Sequence, residues 1–264
     1  METTDILYEK RDHVAIATFH RPAALNAFRQ ATLREFLSIL NEVEADPEVR
    51  VLILTGTGRA FSAGIDLKEM DSLAESRAAL TQIYTDLQTT QEVTRRMLRL
   101  PKVILSAVNG IAVGIGVEVA LASDIRMAAE SATFAFTEVK RALFETNGVM
   151  YLLPRLIGQG RAMHLLLTGE TIRAHEALSA GLVTHVVPQE QLVGAALEMA
   201  HTLATNAPLS VRLVKQVMQR TYDLDLEAVM QLEVDGMMQC YGSDDLAEGI
   251  KAFLEKRPPE YRGR

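Results

Sequence analysis

The stretch ILSAVNGIAVGIGVEVALASDI, residues 104–125, is the most apolar window of the chain and constrains what the chain can become. Its length suits a membrane helix, but Asn109, Glu118 and Asp124 interrupt it and Gly and Ser punctuate it. Charges in hydrocarbon are costly, so the window reads as buried core rather than a membrane span. It resolves into a strand over 102–108, a glycine-containing turn and a short apolar helix. Further strands are expected at 6–10, 14–19, 49–55, 124–128 and 184–187. Their alternation with helical stretches predicts an α/β architecture with helices packed on a sheet. Leu33, Leu37, Leu40 and Val43 recur at three- and four-residue spacing and predict an amphipathic helix over 30–44. A second long helix is expected over 74–100, stopped by Pro101.

From Gln189 onward the strand signal vanishes and successive helices follow, with breaks near Asn206-Ala207-Pro208, at 223–225 and at Gly242-Ser243. The expected organisation is a core over 1–188 and a helical region over 189–264. Leu224, Leu226, Val229, Met230, Leu232, Val234, Met237 and Met238 form a broad apolar face there. That face is buried either against another subunit or in the chain's own core.

With 27 basic and 34 acidic residues the net charge is −7, which repels a phosphate backbone and argues against nucleic acid as a partner. The single Cys240 can form neither an internal disulfide nor a thiolate metal cluster, which favours a reducing, cytoplasmic setting. The opening METTDILYEKRD has no signal-peptide character. The six histidines show no metal-binding spacing, so no metal is expected.

Three segments can carry chemistry. In the first, Gly114 and Gly116 permit unusual backbone angles before a helix whose first amides have no internal partner, with Ile115 as the natural donor to a ligand oxygen. Glu118 falls in or near that first turn. The helix dipole favours its charge and its apolar neighbours disfavour it. It is either a functional acid or a residue that caps amides or pairs with a base. The sequence GIGVEV lacks the third glycine of a dinucleotide fingerprint. In the second segment, VLILTGTGRAFSAGIDLKEM at 51–70, another strand enters a glycine turn. Free amides near Gly64 and Ile65 would complete an oxyanion hole with those of the first segment. Ser62 reads as a small turn residue rather than a hydrolase nucleophile, because Ala60 stands where the elbow motif needs glycine. The third segment, TFAFTEVKRALFETN at 133–147, holds Glu138 at an apparent helix start and Glu145 among Phe134, Phe136 and Phe144. First-turn dipole stabilisation alone would account for Glu138.

These pieces, together with HRPAALNAF at 20–28, LTGETIRAHEALSAGLVTHVVP at 167–188 and AFLEKR at 252–257, resemble the enoyl-CoA hydratase/isomerase, or crotonase, superfamily across almost the whole chain. The resemblance implies a crotonase-like spiral of ββα turns with a C-terminal helical trimerisation region, assembled as a homotrimer or dimer of trimers. It implies an acyl-CoA thioester substrate, with coenzyme A part of the substrate and no separate cofactor. The oxyanion-hole amides would be those of Ile65 and Ile115. Ala63, Asp66 and Leu67 would line the adenine end of the coenzyme, and Lys68 and Lys256 would reach its phosphates. Glu118 and Glu138 match the two acids of the hydratases, with Glu138 the acid/base at C2 and Glu118 the water-activating partner. The expected activity is syn hydration of a 2-enoyl-CoA, with double-bond isomerisation as the alternative and a non-catalytic acyl-CoA binder a further one. Where typical hydratases have a Pro-Gly-rich turn, this chain has LFETNG at 143–148, so Glu145 is a possible additional acid. It either enters the pocket or points to solvent, with Lys140 and Arg141 as candidate partners.

Overall fold

In the computed structural model, which describes residues 5–68 and 78–264, the chain winds between two sheets. Strands β1 (Ile6–Arg11), β2 (Val14–Phe19), β3 (Val51–Gly56), β5 (Val103–Val108), β7 (Ile125–Ala129) and β10 (His185–Val187) form the larger sheet in the order β1-β2-β3-β5-β7-β10. Only the β1-β2 pair is antiparallel there. Strands β4 (Ala60–Ser62), β6 (Ile111–Val113), β8 (Thr133–Ala135) and β9 (Thr171–Arg173) form the smaller sheet in that order. Each turn of the chain therefore lays one strand in each sheet before a crossover: β3 then β4, β5 then β6, β7 then β8. This is the ββα spiral that the family resemblance implies.

The central strands β2, β3 and β5 are buried on both faces and read as near-continuous apolar runs, as covered parallel strands do. Alternate residues of VLILTG face opposite ways. Leu52 and Leu54 join a cluster with Leu33, Phe36 and Leu40 of helix α1 (Gln30–Ala45), whereas Val51 and Ile53 join a second cluster. That second cluster is completed by Leu192, Ala196, Ala200 and Ala204, a stripe at four-residue spacing. Its small side chains let the helix carrying it lie close on the sheet. Phe19 anchors the first cluster, meeting Phe28, Phe36 and Phe61 edge-on with ring centroids 4.8, 5.6 and 5.2 Å away.

The other helices are α2 (Ala78–Arg99), α3 (Ile115–Leu121), α4 (Val149–Ile157), α5 (Gln159–Thr168), α6 (Ala174–Ala180), α7 (Leu192–Ala204), α8 (Pro208–Met218), α9 (Leu226–Tyr241) and α10 (Asp244–Glu255). The stripe just described belongs to α7. The expected helix over 74–100 is present from Ala78, and its residues 74–77 lie outside the described residues. Helix α8 is pinned by Lys215, whose buried ammonium donates to Met97 O at 3.2 Å, Lys102 O at 2.9 Å and Asp124 Oδ2 at 2.8 Å. On α9, Leu226, Met230, Val234, Met237 and Met238 are exposed. Leu224, Val229 and Leu232 of the same face are half-buried, so the chain itself covers it only in part.

Candidate active site

The first turn of the site is built by the loop before α1. Leu25 and Asn26 both adopt left-handed backbone angles, with φ of 51° and 57°. The buried Asn26 side chain accepts from Arg21 N and donates to Thr57 O and Ala60 O. The strap formed by HRPAALNAF then pairs with the turn at 62–66. Ala63 N donates to Leu25 O at 2.9 Å, Phe28 N to Gly64 O at 2.8 Å, and Asp66 N to Phe28 O at 2.8 Å. In that parallel bridge Phe28 uses the groups on either side of Ile65, so the Ile65 N–H is turned to the opposite edge.

The second turn lies directly against the first. Gly64 has φ of 99° and Gly114 has φ of 51° with ψ of −128°, the latter in a region that side chains disfavour. A Cβ at Gly114 would lie 3.8 Å from Gly64 Cα and 2.7 Å from Glu138 Oε1. Gly116 is required by close approach instead, since a Cβ there would sit 2.4 Å from Ser62 O. Ser62 is fully buried and its hydroxyl accepts from Gly64 N, so it serves the turn as expected. Ile115 is the first residue of α3, where an amide lacks an intrahelical acceptor.

Three carboxyl groups converge beside these turns. Glu118 projects from α3, Glu138 opens a short 3₁₀ turn (Glu138–Arg141), and Glu145 comes from the loop before α4. Each offers an oxygen within 4.8 Å of the others. Glu118 is buried and is held by the Asn147 Nδ2 and Thr146 N–H donors. Burial pushes its pKa up to about 8, with the neighbouring Glu138 charge adding to the shift against the opposing pull of Asn147. Glu145 is only 4% exposed. Among the described residues no donor reaches either of its oxygens or Glu138 Oε2. Burial first, and then contact with Glu138 and the charge of Glu118, raise its pKa strongly. A buried carboxyl with no donor is held more readily with its proton than as a charge.

The placement corrects one expectation for this segment. Glu145 does not pair with the neighbouring cations: Arg141 bonds Thr137 O and Oγ1, and the Lys140 stem lies over Gly169. Phe144 is 76% exposed, so only Phe134 and Phe136 are aromatic core here. The sequence reading also passed over Asn147 and Arg126. Asn147 has φ of 51° before Gly148, and an Asn-Gly pair is a legible turn signal, though the bond to Glu118 is not. Arg126 is buried and donates to Ser123 O, to Leu182 O at 2.8 Å and to Leu121 O at 3.4 Å, closing the carboxyl end of the helix that carries Glu118. It supports the dipole from that end.

The remaining expected residues are dispersed. Ala63 is half-buried, Asp66 is tied to Arg21 Nη2 at 2.9 Å, and Leu67 and Lys68 are exposed just beyond the turn. Lys256 is exposed at the left-handed end of α10, a helix that packs on α9. In one chain it belongs to a different part of the molecule's element order from the two turns.

The family description enoyl-CoA hydratase/isomerase matches residues 9–264. A short-chain-enoyl-CoA hydratase of Clostridium acetobutylicum is 37% identical over 261 residues, covering 98% of each chain. An (E)-benzylidenesuccinyl-CoA hydratase of Thauera aromatica is 40% identical over 262 residues, 98% of this chain and 99% of the relative. The crystal structure of an enoyl-CoA hydratase from Bacillus anthracis superposes with a TM-score of 0.95 at 37% identity, covering 99% of this chain and 100% of that one. The fold, the strap and turns, and these full-length similarities agree: the chain belongs to the enoyl-CoA hydratase/isomerase family.

Proposed function

We propose that this chain is an enoyl-CoA hydratase that adds water syn across the double bond of a 2-enoyl-CoA. The observation that carries the proposal is the convergence of Glu118 and Glu138 beside the abutting turns at Gly64 and Gly114. Backbone N–H groups of Ile65 and Ile115 bind the thioester oxygen. A water on Glu118 gives a proton to that carboxylate while its oxygen bonds to C3. The π electrons shift toward C2 and the thioester oxygen, where the two amides stabilise the growing charge. Glu138 then releases its proton to C2. The burial that raises Glu118 to about 8 also makes its ionised form a stronger base than an exposed carboxylate, and the fraction ionised near neutrality is the form that takes the proton from water. The chemistry requires no metal and no redox cofactor.

Ala63, Asp66 and Leu67 line the adenine end of the coenzyme in this reading, and Lys68 and Lys256 take its phosphates. Residues 1–188 hold the site. The helical region 189–264 assembles a homotrimer or dimer of trimers, and the partly uncovered apolar face of α9 supports this. A free Cys240 fits a reducing cytoplasm. Among the described residues no helix is long and apolar enough to cross a membrane.

Isomerisation remains the second reading because Glu145 supplies a third acid. Purified protein incubated with a 2-enoyl-CoA and separately with a 3-enoyl-CoA separates the two. The hydratase forms 3-hydroxyacyl-CoA from the first. Reaction of the 3-enoyl compound alone, with no hydroxyacyl product, contradicts the proposal. A Glu138→Gln protein retains thioester binding while turnover falls about 10²–10⁴-fold. Unchanged turnover removes Glu138 from the mechanism.

A further inference from the structure

Hydration as described leaves the site in the wrong protonation state. Glu118 ends with a proton and Glu138 without one, whereas the next cycle needs the reverse. Glu118 is 2% exposed, and Glu138 Oε2 is sealed from solvent. Direct exchange with bulk water is therefore obstructed at Glu118, whereas Glu138 is half-buried. Glu145 contacts Glu138 and has an oxygen within 4.8 Å of one on Glu118. Its carboxyl is buried, has no donor from the protein among the described residues, and lies with the other two inside 4.8 Å. The loop that carries it also supplies both donors to Glu118, from Thr146 N and Asn147 Nδ2, so Glu118 and Glu145 share one support. Left-handed angles at Ala142, Asn147 and Gly148 shape that loop. It holds Glu145 inward while Phe144 turns to solvent.

We propose that Glu145 is the positioning and proton-relay residue of this site: it holds a proton against Glu138 and, between turnovers, carries the proton left on Glu118 back to Glu138. The inference rests on the hydratase reading. In the reset, the Glu145 O–H bond breaks and its proton bonds to Glu138. The Glu145 carboxylate so formed then takes the proton from Glu118. The three groups end with their starting number of protons, and nothing is consumed. The groups facing Glu145 are Glu138 and Glu118, both acidic, which keeps a proton on the trio.

The relay separates the first turnover from later ones. Glu145→Gln keeps an N–H donor toward Glu138 but cannot pass a proton on. With the full-length enzyme in excess over crotonyl-CoA, E145Q is expected to hydrate within about twofold of the wild-type rate. With crotonyl-CoA in excess its steady-state kcat falls about tenfold or more, within the range of proton-transfer catalysis. E145D, which retains a carboxyl, restores part of that loss. Wild-type steady-state turnover in E145Q overturns the relay. So does an equal fall in both regimes, which places Glu145 in the fold or in the chemical step. A readout that does not depend on the variant's folding uses the wild-type enzyme and 3-hydroxybutyryl-CoA deuterated at C2. The relay predicts that deuterium taken by Glu138 reaches solvent about as often as crotonyl-CoA is released. Its return to C2 in most reversals overturns the proposal. Absence of any hydroxyacyl product from wild-type enzyme defeats the hydratase reading itself, a result distinct from repeated normal turnover by E145Q.

Discussion

Replacing Glu118 with Gln should change how stability depends on pH, by an amount set by the site's burial. The Glu118 pKa rises from an ordinary 4.5 to about 8 in the folded chain. Between those values the folded protein keeps a proton that the unfolded chain has lost. Stability therefore falls as pH rises through this window and is flat below and above it. The slope is about 1.4 kcal/mol per pH unit for one proton, and the window spans about 3.5 units, a total of about 5 kcal/mol. E118Q has no such proton. Its buried amide can be accommodated because Asn147 Oδ1 has no donor among the described residues, and a flip of the Asn147 amide turns that oxygen toward Gln. Urea unfolding of both proteins at one fixed concentration, from about pH 5 to about pH 8, measures the difference. E118Q should gain on wild type by about 1.4 kcal/mol per unit, reaching about 3 kcal/mol near neutrality apart from any constant offset. A difference that stays constant across the window refutes the argument, because Glu118 would then ionise as freely in the folded state as in the unfolded chain.

Gly116→Ala places a methyl 2.4 Å from Ser62 O and should lower stability by about 1–3 kcal/mol, with a larger relative loss of kcat because both turns must move. Gly160→Ala, where nothing lies within 4 Å, is the control, and thermal melts should show it neutral or stabilised by up to about 1 kcal/mol. Lys215→Met strips three acceptors of their buried cation and leaves Asp124 to Ile104 N. Denaturant titration should register a loss of about 3 kcal/mol, and a loss below about 1 kcal/mol contradicts the role given to this lysine.

The elements that the sequence disclosed are those whose burial leaves a period or an apolar run. Strands β3 and β5 are continuous Val, Ile and Leu because both sheet faces are covered, and α1 carries one apolar stripe because one face is covered. Strands β4, β6, β8 and β9 are three residues each, too short for any alternation to register, and they were not foreseen. The glycine turns were legible at Gly64, Gly114 and Gly116, though for two different reasons: positive φ at the first two and close backbone approach at the third. Glu118 stood out as a carboxylate in an apolar helix, whereas the pairing with Glu138 came from the family resemblance. Glu145 was ambiguous because its inward direction depends on the left-handed residues around it and on Phe144 turning outward, neither of which leaves a pattern in composition. The strap around Asn26 shows the same limit: its bonds to residues more than thirty positions away exist only in the folded chain.

The central claim is that Glu118 and Glu138 add water to one face of a conjugated thioester. The most direct measurement is proton NMR of the product formed from crotonyl-CoA by this enzyme in D2O. The account predicts 3-hydroxybutyryl-CoA with a single deuterium at C2, on the same face as the new C3 oxygen. Deuterium on the opposite face, or deuterium entering the acyl chain without any hydroxyl at C3, contradicts it.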